Sequence, residues 1–150
     1  MKDLTIKPLE GYGELPFGMS LDDVIKYLGK PDYQEELLPL DDYNRLISFD
    51  YEVLCMKIYL EGVTNTVISS FSICNEEALL YGEKVFELDK IGIKELMREN
   101  NIVECCEECD ENGDCLIYDD LRLDFYFESG KLVEIVWGVS VDAQGNIETV

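Results

Sequence analysis

The chain has 150 residues, nearly half of them apolar, with 33 acidic against 12 basic side chains, a net charge of −21 and no histidine. That length suits one domain, and the apolar content argues against a chain disordered throughout. The charge disfavours nucleic acid and anionic membrane as ligands and favours a basic partner, while the missing imidazole removes the commonest general base, metal ligand and pH switch together.

The N-terminal stretch MKDLTIKPLEGYG carries neither an apolar signal core nor a cysteine placed for lipidation. No apolar run nears the roughly 20 residues a membrane-spanning helix needs. The expectation is a cytoplasmic protein whose six cysteines are reduced thiols rather than a disulfide framework.

Next comes YGELPFGMS, Tyr12 to Ser20, followed by a helix signal. Ser20 can cap the helix, Asp22 and Asp23 suit its positive end, and Leu21, Val24, Ile25 and Leu28 form one apolar stripe. Gly29 and Pro31 stop it. Further on, LCMKIYLEG (Leu54 to Gly62) alternates with the period of a strand. Leu54, Met56, Ile58 and Leu60 face a core, and Cys55, Lys57, Tyr59 and Glu61 face away. A second strand, TVISSFSIC, follows.

Sixty-nine positions after the first phrase the chain reads YGEKVFELD, Tyr81 to Asp89. At the same offset Asp89 becomes a helix cap, and Ile93, Leu96 and Met97 become the stripe. Asn100 and Asn101 end that helix, and Gly92 weakens its first turn. The strand signal returns as LRLDFYFESG (Leu121 to Gly130), a slip of two from that offset. Leu121, Leu123, Phe125 and Phe127 face inward there, with Arg122, Asp124, Tyr126 and Glu128 outward. Glu134, in the following strand LVEIVWGVSV, falls near them. Tyr12, Gly13 and Phe17 are answered by Tyr81, Gly82 and Phe86.

Between these lies VECCEECDENGDCLIYDDL, Val103 to Leu121, with four cysteines. A zinc site would need a second, more distant cysteine pair, which is missing. An EF-hand loop starting at Asp110 fails at its glycine and its closing glutamate, where Cys115 and Leu121 stand. A β-hairpin turning at Asn112-Gly113 fits best. It sets Glu111 opposite Asp114, Asp110 opposite Cys115 and Cys109 opposite Leu116. Cys105, Cys109, Leu116 and Tyr118 then share an apolar face. Cys106, Glu108, Asp110, Cys115, Ile117 and Asp119 share an acidic one.

The fold expected is α+β: a single domain, 1–150, of two tandem α-β-β-β units (approximately 1–75 and 76–150), forming antiparallel sheet with helices packed on one face. No catalytic constellation is found. Cysteine nucleophiles lack a histidine, serines lack a G-x-S-x-G context, and adjacent carboxylates point to opposite faces. No cofactor or metal is expected. The residues that suit partner binding are Tyr59, Glu61, Glu108, Asp110, Glu111, Asp114, Asp119, Asp124, Tyr126, Glu128 and Glu134. They are tyrosines for contact area set among carboxylates that steer a basic protein. Two alternatives stand beside this reading: an acidic mimic of nucleic acid, and a metal or redox sensor built on the hairpin cysteines.

The segment FGMSLDDVIKYLGKPD, Phe17 to Asp32, resembles the helical signature of the BamE/SmpA-like superfamily through Gly18, Met19, Ser20, Asp23, Val24, Leu28, Gly29 and Pro31. Tandem units of this kind also look like the β-lactamase-inhibitor-protein fold. The longer pattern I-x-P-L-x-G-x-G-x-x-x-F-G-M-S is similar to small cytosolic bacterial proteins of polymorphic toxin systems. That resemblance implies an immunity protein, a stoichiometric inhibitor of a basic toxin such as a nuclease.

Overall fold

A computed structural model describes residues 1–38, 43–111 and 113–148. The chain opens with three two-residue strands, β1 (Ile6–Lys7), β2 (Gly11–Tyr12) and β3 (Leu15–Pro16), followed by helix α1 (Leu21–Leu28). Four strands come next: β4 (Tyr33–Leu37), β5 (Leu46–Tyr51), β6 (Met56–Glu61) and β7 (Val67–Ile73). A short hairpin, β8 (Leu79–Leu80) and β9 (Glu83–Lys84), precedes helix α2 (Lys90–Glu99). Four more strands follow: β10 (Cys106–Asp110), β11 (Gly113–Tyr118), β12 (Leu123–Glu128) and β13 (Lys131–Gly138). A last small pair, β14 (Ser140–Val141) and β15 (Ile147–Glu148), closes the described chain.

The result is α+β, with a single eight-stranded sheet ordered β10-β11-β12-β13-β7-β6-β5-β4 and antiparallel at every recorded pairing. Four strands, not three, follow each helix. The strand missing from the three-strand expectation in the first half is β4. Its sequence YQEEL is exposed along nearly its whole length, so it carries no apolar alternation to read. The two meanders meet at β13 and β7, where Trp137 lies opposite Phe71.

Both helices start as their caps dictate. Ser20 Oγ accepts from Asp23 N at 3.1 Å, and Asp89 Oδ1 accepts from Gly92 N at 2.8 Å. Each satisfies an otherwise orphaned backbone donor of the first turn. Asn101, at φ 64, lets Ile102 N reach back to Met97 O and ends α2. Val24 of α1 and Ile93, Leu96 and Met97 of α2 are buried in the same apolar cluster as the inward residues of the sheet.

Two backbone features recur, the first at an offset of 67. Cys55 and Arg122, each at φ 50, hold the left-handed turn position just before β6 and β12. They are therefore turn residues rather than the outward strand residues their alternation predicts. Both ladders then break one strand further on. Tyr59 pairs with Ser70 and Leu60 with Ile68, leaving Ser69 as an extra residue. Tyr126 pairs with Glu134 and Phe127 with Leu132, leaving Val133 extra. A bulge of this kind bends its strand and increases the local twist.

The tyrosine echo does not survive in three dimensions. Tyr12 sits in β2 and is 1% exposed, whereas Tyr81 occupies a hairpin turn at φ 51 and is 38% exposed. The two hairpins are offset by one residue: Tyr12 pairs with Leu15 around Gly13-Glu14, and Leu80 with Glu83 around Tyr81-Gly82. Phe17 and Phe86 do correspond, both being buried.

Candidate functional site

The face of the sheet opposite the core follows from the pleat. Leu123, Phe125 and Phe127 are buried, so Asp124, Tyr126 and Glu128 project the other way. The same alternation turns out Lys57, Tyr59 and Glu61 on β6. The register then places a row of side chains across the sheet. Glu108 lies opposite Cys115, Cys115 opposite Tyr126, and Tyr126 opposite Glu134. Ser72 Oγ donates to Glu134 Oε2 at 2.5 Å and carries the row over the seam. Beyond it Ser72 lies opposite Lys57, Lys57 opposite Asp50, and Asp50 opposite Tyr33. Lys57 is paired to Asp50 at 3.7 Å. The half of the row from Glu108 to Glu134 contains carboxylates, a thiol and a phenol, and no cation.

Protonation equilibria here reflect burial first and the neighbouring negative charges second. Burial, followed by the charges of Asp124 and Glu108, pushes the Cys115 thiol up to about 11. Burial, Asp124, Cys115 and Glu134 together push the Tyr126 phenol up to about 12. Asp124 itself is raised by burial and by Asp119 and Glu108, although a hydrogen bond from Tyr126 opposes the shift. Each shift disfavours the charged form, through burial first and neighbouring negative charge second.

The other side of the hairpin is different. Lys90 reaches Asp114 at 2.7 Å and Glu107 at 3.6 Å, and Lys94 also pairs with Glu107. Lys90 and Lys94 of α2 thus neutralise the carboxylates that face the helix. The hydrogen bond from Lys90, then that from Cys109, holds the Asp114 carboxyl below the usual aspartate range. Asp114 is consequently a hairpin-to-helix tie rather than a member of the outward acidic face.

The hairpin itself forms, with Cys106 and Glu108 on one face and Glu107, Cys109 and Leu116 on the other, but its register is two residues from the expected one. Cys109 lies opposite Asp114 and Asp110 opposite Gly113, so Glu111 is a turn residue and not the partner of Asp114. Asn112, half of the expected turn, lies outside the described residues. Asp110 Oδ1 accepts from Gly113 N at 3.0 Å and closes the loop. Gly113 is in β11 with φ 147, and a Cβ there would meet Phe127 O at 2.1 Å. This glycine answers to the close approach of β12 and not to a turn.

Of the residues expected to bind a partner, Glu108, Asp110, Tyr126, Glu128 and Glu134 line one cleft of about 300 Å³, floored by Cys115, Ile117 and Val133 and reached at its edge by Asp114. Asp119 and Asp124 line the adjoining hollow with Ile117 and Arg122. Glu111 is exposed beside the hairpin loop, outside both. Tyr59 and Glu61 lie on the β6 part of the face, opposite Ser70 and Val67, away from the cleft. Two contributors had no sequence signal. The bulge swings Val133 into the cleft, and Ser72 fixes the Glu134 carboxylate from the other half of the sheet.

Among the described residues no group of three cysteine, aspartate or glutamate side chains is arranged to hold a metal ion, and no helix is long and apolar enough to cross a membrane. No protein-family model, no curated protein and no solved structure matches this chain.

Proposed function

We propose that this protein is a non-catalytic inhibitor that binds a basic protein partner through the outward face of the second meander. The observation that carries the reading is the cation-free row Glu108–Cys115–Tyr126–Glu134, set in a cleft wide enough for a lysine or arginine side chain. A guanidinium placed there gains charge-assisted hydrogen bonds from carboxylates, and Tyr126, 36% exposed, offers a ring edge at low entropic cost. Lys90 and Lys94 of α2 are already engaged on the far side of the hairpin, so these two do not compete for the outward carboxylates.

The scaffold reads as two copies of one unit, each a hairpin, a helix and a four-stranded meander, joined through their last strands with both helices over one face. In keeping with the resemblance carried by Ile6 to Ser20, the partner is a toxin domain, for example a basic nuclease, that the inhibitor masks stoichiometrically in the cytoplasm.

The test is co-expression with the product of the neighbouring reading frame. A one-to-one complex should co-purify, protect the cells and weaken as salt rises. Glu108→Lys with Glu134→Lys should abolish it, and Glu35→Lys with Glu36→Lys on the opposite edge should not. A complex indifferent to the first pair of substitutions would refute the site. DNA that displaces the partner would instead favour mimicry of nucleic acid.

A further inference from the structure

We infer that Cys55 and Cys74 form an oxidisable dithiol, a modification site at which a peroxide converts two thiols into a disulfide between the ends of β6 and β7. The last recorded ladder pair of these strands is Met56 with Ile73, and the next position outward brings Cys55 opposite Cys74. The pairing persists there. Cys74 N donates to Cys55 O at 3.0 Å, and Cys74 Sγ lies 3.7 Å from the same oxygen. Cys55 sits in the turn just before β6 rather than in the ladder, and the bond from Cys74 N keeps the two main chains adjacent; a disulfide spans Cα separations of about 4.4–6.8 Å. Both thiols are exposed, and both line a surface hollow of about 340 Å³ that admits a small oxidant.

The hairpin cysteines, which look more reactive in the sequence, are not placed this way. Cys106 lies opposite Ile117, Cys109 opposite Asp114 and Cys115 opposite Glu108. No recorded ladder pair joins two of them.

The chemistry balances with a peroxide as the two-electron oxidant. The Cys55 sulfur attacks one peroxide oxygen, the O–O bond breaks, and water leaves with the thiol proton, giving a sulfenic acid. Cys74 sulfur then attacks Cys55 sulfur, the S–O bond breaks, the S–S bond forms and a second water carries away the other thiol proton. Both sulfurs are oxidised by one electron each and the peroxide is reduced. Burial, the adjacent Cys55 and Glu134 raise the Cys74 thiol, which lowers its thiolate fraction and slows its attack in the second step.

The experiment exposes the reduced, folded full chain to hydrogen peroxide, alkylates it under denaturing conditions and maps the peptides. The count of free thiols should fall from six to four, with Cys55 linked to Cys74 and the link reversed by dithiothreitol. Cys74→Ser should leave a Cys55 sulfenic acid that dimedone traps, and circular dichroism checks that this variant is folded. Links confined to the hairpin cysteines, or oxidation that never joins Cys55 to Cys74 in folded protein, would overturn the assignment. The outcome is independent of which partner the acidic face binds.

Discussion

Trp137 donates its indole N–H to the Gly11 carbonyl at 3.0 Å, joining the last long strand to the first hairpin across 126 positions of chain. The indole also packs edge-on against Tyr12 and tilted against Phe71, so it stands where both meanders and the N-terminal hairpin meet. Trp137→Phe keeps most of the apolar volume but leaves the Gly11 carbonyl without its donor. It should cost about 1–3 kcal/mol in urea unfolding followed by circular dichroism. Trp137→Ala should cost about 3–5 kcal/mol. Since this is the only tryptophan, its fluorescence reports directly on the seam.

The neighbouring Tyr12 hydroxyl is buried and has no hydrogen-bond partner among the described residues. Burial pushes this phenol far above its ordinary range. An unpaired buried hydroxyl costs about 1–3 kcal/mol in mutational data. Tyr12→Phe should therefore raise the urea midpoint without changing the slope, the opposite of the usual outcome for a core substitution. A lowered midpoint would mean that the hydroxyl is satisfied.

Gly138 is a second pressure point. A Cβ there would stand 2.6 Å from Ser70 Cβ and 2.7 Å from Ser69 O, so β13 and β7 could not approach as they do. Gly138→Ala should destabilise by about 1–3 kcal/mol through overpacking, and Gly138→Val by more. The companion change Ser70→Gly should recover part of the loss, a coupling that thermal melts of the double mutant would detect.

Asp124 gives a pH signature whose sign is fixed by its environment. Its folded carboxyl is raised above the ordinary aspartate value of 3.8, so the ionised form weakens the fold at neutral pH. That penalty is released as pH falls through the folded value toward 3.8. Asp124→Asn should raise the melting temperature at pH 7 by no more than about 3 °C, because solvent screens a half-exposed group. The gain should vanish below about pH 4. Asp114 behaves oppositely. Its carboxyl is depressed by Lys90, and the stability it supplies is present above 3.8 and lost as pH falls through its lower folded value. Lys90→Met should remove that acid-side loss, measurable as a flatter stability profile below pH 4.

The parts of this fold that could be read in the sequence are those decided by neighbours in the chain. Ser20 and Asp89 cap helices because a side-chain oxygen three residues before an N–H reaches it without tertiary help. The outward position of Asp124 and Tyr126 follows from period two alone, and even the approach of Glu134 was visible from strand lengths. What tertiary contact decides was not visible. Gly113 looks like a turn residue until Phe127 O is seen 2.1 Å from where its Cβ would be. Asp114 looks like any other acid of the hairpin until Lys90 arrives from a helix 24 residues earlier. Tyr12 and Tyr81 share a motif, yet a one-residue shift between hairpins buries the first and exposes the second.

The continuity of the eight-stranded ladder also makes it a ruler. Strand spacings of about 4.8 Å put β10 and β4 about 34 Å apart along the curved surface. From β10 to β13, which bears Glu134, is less than half that breadth, about 14 Å. A small ligand domain seated over Glu108 and Glu134 therefore leaves the β4 margin in open solvent. Labels or fusions attached at Glu35 should report on the complex without touching it.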